Sequence, residues 1–259
     1  MGMGLVDRAK VKQYFFGKSN LIPLLLIIVG IFTLLLKIGI FLILAGLAWI
    51  LYNKFSADEE GQTEADKAKE IEVQLARERA MDKLNLVQEQ VMDIEPVVTC
   101  AAAYEPNSPT SQTVAAAGKY GKFFKSSIAK NSDDPIFAWR VGSDRKLRYS
   151  LTKITVFMFG EQQLYIYYAN VDLCTGLIYD EGTHEFFYQD INAVSFKQVR
   201  EKIFNIKSKK FERHLLEYVS VYTSGCSYTA GISTDMNSSV LESQFTGMRN
   251  LIRDKKNEG

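Results

Sequence analysis

The chain has 259 residues, with 31 Lys and Arg against 30 Asp and Glu, and its formal net charge of +1 is the sum of unlike regions. The net charge therefore identifies no partner by itself. The three cysteines, Cys100, Cys174 and Cys226, are odd in number and include no CxxC pair, which excludes a simple disulfide framework and predicts reduced thiols in a cytoplasmic body.

The first predicted element is a pair of apolar helices in residues 21–55, preceded by a basic juxtamembrane segment in residues 1–20. Residues 21–52 form an apolar run that only Lys37 interrupts. As one helix this run would span about 48 Å, against about 30 Å for the hydrocarbon core of a bilayer. The sequence therefore predicts a turn at Lys37 and Gly39 and a two-helix transmembrane hairpin. A re-entrant wedge in one leaflet and a cleaved signal peptide are the alternatives.

The distribution of basic residues predicts on which side of the membrane the body lies. Four basic residues precede the first helix and only Lys37 lies at the turn, so the positive-inside rule places both termini in the cytoplasm. Trp49 and Tyr52 suit an interfacial aromatic belt. We expect an integral protein of the cell (inner) membrane, whose turn and anchor residues are Lys37, Gly39, Trp49 and Tyr52.

Residues 56–96 predict one amphipathic, coiled-coil-like helix, because good helix formers run from Thr63 to Ile94 and Pro96 follows. Its C-terminal half carries an apolar seam with alternating three- and four-residue spacing, too short for a self-sufficient coiled coil. We expect this seam to pack on the body or on a sister chain, and a solvated spacer helix is the alternative. The seam consists of Leu84, Val87, Val91 and Ile94.

The remaining residues predict a connector and then a β-rich domain. Residues 97–136 are rich in small residues and proline, which indicates the connector. From residue 137 onwards, aromatic and β-branched segments separated by turns predict antiparallel strands, and Leu241, Phe245, Met248 and Ile252 form the apolar stripe of a last helix. The fold class is therefore α+β: a transmembrane hairpin, a linker helix, and in residues 137–259 an antiparallel β-roll capped by a C-terminal helix.

A family resemblance is carried by residues 152–196, TKITVFMFGEQQLYIYYANVDLCTGLIYDEGTHEFFYQDINAVSF. A strand pair is followed there by the aromatic-Tyr-x-Asp-Ile segment of residues 187–191. This stretch resembles the bacterial membrane proteins with a pleckstrin-homology-like (PH-like) C-terminal domain. The resemblance covers roughly residues 137–256, and its motif is specific for a fold rather than for an activity. It implies a binding or assembly module without a particular ligand.

Residues 197–214 carry seven Lys and Arg against Glu201 and Glu212. The densest part of this patch is Lys207, Lys209 and Lys210. In a PH-like roll such a loop predicts a site for anionic lipid headgroups. The alternative is a solvated hairpin tip whose charges protect a strand edge from aggregation. Nucleic acid is not expected, because the acidic helix beside the patch would repel it.

The sequence carries no recognisable catalytic motif, and neither His184 nor His214 has a Cys or a carboxylate at metal-ligand spacing. We therefore predict no catalytic residue, no metal and no cofactor, and an enzyme without a known motif is the alternative. The leading hypothesis is a non-enzymatic, membrane-anchored scaffold or adaptor. It would bind the lipid bilayer and either oligomerise or dock into a larger membrane complex through the PH-like domain. A membrane-tethered sensor of anionic lipid is the second hypothesis.

Overall fold

The computed structural model describes residues 5–17, 21–33, 38–103, 137–205, 210–232 and 238–258, and it is an α+β fold in which the helices and the strands form separate blocks. The helices are α1 (Arg8–Phe16), α2 (Leu21–Phe32), α3 (Ile38–Lys83) and α4 (Ser238–Glu258). The strands are β1 (Val97–Ala102), β2 (Trp139–Val141), β3 (Leu147–Tyr149), β4 (Leu151–Phe159), β5 (Gln163–Asp172), β6 (Ile178–Phe187), β7 (Ile191–Asn205), β8 (Lys210–Thr223) and β9 (Ser227–Ile232).

The apolar run forms an antiparallel helical hairpin, in which α2 packs along the first part of α3. Two glycines permit the close approach of the helices. A Cβ on Gly30 would lie 2.8 Å from the carbonyl oxygen of Gly39, and a Cβ on Gly46 would lie 2.9 Å from that of Pro23. Contacts near both ends of the pair fix the antiparallel direction.

The prediction that this hairpin crosses a membrane is wrong. Within the part of the chain that the structure describes, no helix combines the length and the apolar character that a crossing requires. Helix α2 has 12 residues, or about 18 Å, and the apolar part of α3 from Ile38 to Tyr52 measures about 22 Å, against the ~30 Å core of a bilayer. The integral location in the bacterial inner membrane, with both termini in the cytoplasm, is wrong for the same reason.

Helix α3 continues far beyond the apolar run and ends earlier than the predicted linker helix. Its 46 residues join the second hairpin helix to the segment expected as a separate element. The helix stops at Lys83, although neither Gly nor Pro follows before Pro96. The stop coincides with Asn85, whose φ of 50° lies in the left-handed region that asparagine tolerates better than most residues. The chain then turns back towards the sheet.

Two antiparallel sheets form the body. The first has the strand order β1-β4-β5-β6 and the second has the order β7-β8-β9, while β2 and β3 form a separate two-stranded ribbon. Strand β1 lies in the segment predicted to be a connector, and it pairs with β4 from Val97 opposite Phe157 to Ala102 opposite Thr152. Its first three residues are β-branched and favour a strand, but the small residues and prolines that follow indicate a connector.

The apolar core of the body lies between the two sheets. Helix α4 covers this core with Phe245, Met248 and Ile252, the stripe predicted from its spacing. The opposite face of the first sheet packs against the second half of α3, where Ala76 and Ala80 are fully buried. Both faces of the first sheet are therefore covered from within the chain. The other members of the inter-sheet core are Val97, Phe157, Phe159, Leu164, Ile166, Phe186, Tyr188, Ile191, Val219, Val221, Tyr228, Ala230 and Ile232.

Candidate interaction surface

The hairpin of α2 and α3 uses only one face of each helix for internal packing. Pro23 and Gly30 on α2, and Gly39 and Gly46 on α3, are buried where the helices meet. These positions recur at helical spacing, so each helix presents its remaining faces away from its neighbour. The outward faces carry large apolar side chains.

The outward side chains are highly exposed, with Leu44 at 57%, Phe41 at 74% and Phe32 at 82% of full exposure. The described side chains of the hairpin between Ile22 and Tyr52 include no charged group. We call these side chains the hairpin surface. Its members are Ile22, Leu24, Leu25, Ile28, Val29, Ile31, Phe32, Ile40, Phe41, Leu44, Leu47, Trp49, Leu51 and Tyr52.

The size of the hairpin surface sets it apart from ordinary exposed residues. Its side chains sum to an exposed apolar area on the order of 1,500 Å², taking about 200 Å² for one fully exposed large side chain. The largest apolar patch on a typical monomer measures about 300–600 Å² and often marks a binding site. The hairpin surface is therefore a candidate interaction surface.

A polar joint connects α3 to the ribbon of β2 and β3. The Arg148 guanidinium is 7% exposed, and it donates to both carboxylate oxygens of Asp66 at 2.7 Å and to Asp144 at 2.9 Å. The Arg148 guanidinium holds the pKa of Asp144 well below its usual range, chiefly through these hydrogen bonds. One buried cation thus ties the helix that carries the hairpin to the body.

Helix α1 strengthens the same joint from the other side. The Arg8 guanidinium donates to the Glu72 carboxylate at 2.7 Å and to the Leu173 carbonyl at 2.8 Å, which links α1 to α3 and to the turn after β5. Arg140 donates to the Tyr14 carbonyl at 2.9 Å and lies over the Tyr14 ring at 4.8 Å. Tyr14 itself is buried among apolar side chains. Charged side chains from several elements therefore join the helix that carries the hairpin to the body.

The end of α3 is joined to the first sheet by a second polar chain. Lys83 forms an ion pair with Glu181 at 2.6 Å, and the Tyr167 hydroxyl donates to Glu181 at 2.9 Å. The ammonium of Lys83 lowers the pKa of Glu181, mainly by hydrogen bonding to it, while burial raises the pKa of Tyr167. Helix α3 is thus attached to the body at both ends of their contact.

The predicted seam residues lie after α3 rather than on it. Leu84 and Val91 pack against the first sheet, so part of the seam is used inside the chain. Val87 is 55% exposed and Ile94 is 38% exposed. Leu84 and Val91 thus pack within the chain, and the role of the seam as a contact to a partner stays a prediction. The structure leaves Val87 and Ile94 on the surface.

The other predicted site residues are spread over the chain. Lys207 and Lys209 lie outside the described residues, and Lys210 is an exposed residue at the start of β8. Lys37 also lies outside the described residues, whereas Gly39 is buried in the hairpin and Trp49 and Tyr52 belong to the hairpin surface. The lipid-headgroup site and the turn therefore stay predictions.

Both histidines lie in aromatic surroundings. The His184 ring lies 5.0 Å from that of Tyr228, and the Trp139 and His214 rings lie 4.4 Å apart. Burial lowers the pKa of both histidines, and the nearby ammonium of Lys153 lowers that of His184 further. No group of three or more His, Cys, Asp or Glu that fits a metal ion occurs among the residues that are described.

A cavity of about 10 Å³ lies beside Asp66 and Arg148. It has room for about one water molecule. The geometry of this cavity therefore offers no space for an organic substrate or a cofactor.

Comparison with known proteins identifies no relative. No protein-family model, curated protein or solved structure matches the chain. The PH-like resemblance therefore stays a prediction from the sequence, and the function has to be inferred from the geometry of the chain.

The role of the apolar run and the polar joint beside it cannot be predicted from the sequence, for different reasons. The apolar run is evident in the sequence, but hydropathy alone does not separate a lipid-facing helix from one that binds protein. The joint carries no local signal, because Asp66 and Arg148 are separated by 82 positions in the chain. A pairing of that kind depends on the tertiary fold and becomes visible only in three dimensions.

Proposed function

We propose that the protein is a non-enzymatic scaffold subunit, which assembles through the hairpin surface and presents its β-rich body to the surroundings. The observation that carries this proposal is the exposed apolar area of the hairpin, which is larger than a typical monomer leaves in water. Covering apolar surface stabilises an assembly by about 25 cal/mol per Å² removed from water. An uncharged surface of this kind favours an apolar partner.

The joint between the hairpin and the body supports the same proposal. A scaffold has to hold its parts in fixed relative positions, and Arg148, Arg8 and Arg140 connect the two helices α1 and α3 to the β2–β3 ribbon and to the turn after β5. Most of these groups are at least partly buried, where charged hydrogen bonds are directional and restrict movement. The assembled hairpins would therefore set the spacing and the orientation of the bodies.

The body supplies the second part of the proposal, a module that binds or assembles with other proteins. It consists of two antiparallel sheets whose shared core is covered by helix α4. The body needs no further partner for its own core, because large side chains such as Phe157 and Ile166 are fully buried within it. Of the three lysines predicted to bind anionic lipid headgroups, the structure describes only Lys210, so lipid binding forms no part of the proposed function.

The experiment is sedimentation velocity of the full chain in buffer without detergent. We expect the wild-type chain to sediment as an assembly of several copies. The double substitution Leu44→Glu and Leu47→Glu places charges on the hairpin surface and should shift the protein to the mass of one chain. The matched control is Leu177→Glu with Tyr179→Glu, which alters two exposed apolar residues of the body and should leave the assembly intact.

Two outcomes would overturn the proposal. One is a wild-type chain that sediments at the mass of a single chain at every concentration. The other is a chain that is soluble only in detergent or lipid and is a monomer there, since detergent or lipid would then cover the hairpin surface in place of protein.

A further inference from the structure

We propose that the hairpins assemble head to tail into a closed ring, in which one side of each hairpin packs against the opposite side of the hairpin in the next copy. This inference rests on the proposed function, because it names the partner of the hairpin surface as a second copy of this chain. It adds the geometry of the contact, which the proposed function leaves open.

The hairpin surface divides into two sides of different chemistry. Helical periodicity at 3.6 residues per turn, combined with the antiparallel packing of α2 and α3, places the exposed residues on opposite broad sides of the pair. One side, called the aliphatic side, consists of Leu24, Ile28, Ile31, Ile40, Leu44, Leu47 and Leu51. The other, called the aromatic side, consists of Ile22, Leu25, Val29, Phe32, Phe41, Trp49 and Tyr52, and the exposed Ala45 lies among them.

Both sides have the spacing of helices that pack against other helices. On the aliphatic side, Leu24, Ile28 and Ile31 are separated by four and then three residues. On the aromatic side, Ile22, Leu25, Val29 and Phe32 are separated by three, four and three residues. Alternating spacings of three and four place side chains along one stripe, which packs knobs into holes against a similar stripe. A helical partner with the same spacing is therefore the expected occupant, and this chain supplies one.

The area and the charge also fit a second copy. The side chains of the aliphatic side are about half exposed, and together they offer roughly 700 Å², close to the ~800 Å² that each partner buries in a standard protein interface. The described side chains of both sides are uncharged, so two copies meet without burying an unpaired charge. Ala45 is small and its neighbours Phe41 and Trp49 are large, so the aromatic side has a recess that suits the aliphatic side chains of the next copy.

The existence of two apolar sides decides between a dimer and a ring. A two-fold symmetric dimer pairs like with like, so it covers one side of each hairpin and leaves the other side in water. A head-to-tail contact pairs unlike sides, covers both sides of every copy and closes into a ring when the rotation permits. The ring therefore removes more apolar surface from water than a two-fold dimer does.

Cysteine crosslinking tests the ring in the full chain. Leu47→Cys marks the aliphatic side and Ala45→Cys marks the aromatic side, each in a Cys226→Ser background that removes the native exposed thiol. Under mild oxidation we expect a mixture of the two single variants to give a crosslinked dimer, and each variant alone to stay uncrosslinked. The double variant should give a ladder that ends at one largest species. Thr183→Cys, on exposed β6, is the matched control and should give no crosslink.

The outcomes separate the ring from the proposed function. Crosslinking of Leu47→Cys with itself, or an assembly without any mixed crosslink, would overturn the ring while the scaffold proposal stands. A single-chain mass for the unmodified protein in the same buffer would overturn both.

Discussion

The hairpin and the body both carry many large apolar side chains, but the body buries them and the hairpin exposes them. In the body, Phe157 and Ile166 are fully buried between sheets, whereas in the hairpin Phe41 is 74% exposed and Leu44 is 57% exposed. A side chain buried within its own chain stabilises folding, and one left outside stabilises association. The chain therefore folds around the core between its sheets and, as proposed above, assembles through its hairpin helices.

The largest expected effect is a difference in the free energy of unfolding when the same residue type is substituted in each of the two regions. Ile166→Ala removes a fully buried side chain of the inter-sheet core and should reduce the free energy of unfolding by about 2–5 kcal/mol, because it leaves a cavity. Ile40→Ala, at 51% exposure on the hairpin, should change the unfolding of the body by less than about 1 kcal/mol. Urea denaturation followed by circular dichroism measures both. Equal losses would contradict the division.

An intermediate effect is expected from the joint between the regions. Arg148→Met leaves the Asp66 and Asp144 carboxylates without their shared cation, and it should reduce the free energy of unfolding by about 1–3 kcal/mol, since Asp66 is partly exposed to water. Arg200→Met, at an exposed residue of β7, is the matched control and should change it by less than about 0.5 kcal/mol. Chemical denaturation of both variants provides the comparison. If the two variants were equally stable, the ion pairs would not be what connects the hairpin to the body.

The smallest effect concerns pH and is confined to the body. Burial lowers the folded-state pKa of His184 and His214 below the ordinary value of about 6.5 for histidine. A histidine whose pKa is lower in the folded state favours folding above its unfolded pKa, and this contribution is lost as the pH falls below it. The melting temperature should therefore fall between pH 7 and pH 5. The double variant His184→Gln and His214→Gln should show a smaller fall, and an unchanged pH dependence would exclude the histidines as its cause.

The parts of the fold that the sequence predicts are those with strong periodicity. The stripe of Phe245, Met248 and Ile252 predicts the buried face of α4, and the aromatic and β-branched segments separated by turns predict antiparallel strands such as β4 and β5. Strand β1 is not predicted, although Val97, Val98 and Thr99 are β-branched, because the segment of small residues and prolines that begins here indicates a connector. The early end of α3 was missed because tertiary contacts of Leu84 with the sheet override helix propensity.

The sequence predicts that the residues of the hairpin surface are apolar and helical, but it assigns them the wrong role. Hydropathy identified the residues from Ile22 to Tyr52 as two apolar helices, and it also suggested a lipid environment for them. These residues divide into an inner face around Gly30 and Gly46 and two outer sides. This division can be predicted only if it is known which faces of the two helices meet. That information lies in the packing of the helices and not in the apolar content.

The most direct test of the account is the environment of Trp49. The chain has two tryptophans, and Trp139→Phe leaves Trp49, which is 45% exposed in the single chain, as the sole reporter. The account predicts blue-shifted emission that resists acrylamide quenching in detergent-free buffer and shifts to the red when dilution separates the copies. Emission typical of water-exposed tryptophan at every concentration would contradict burial of the hairpin surface between copies of the chain.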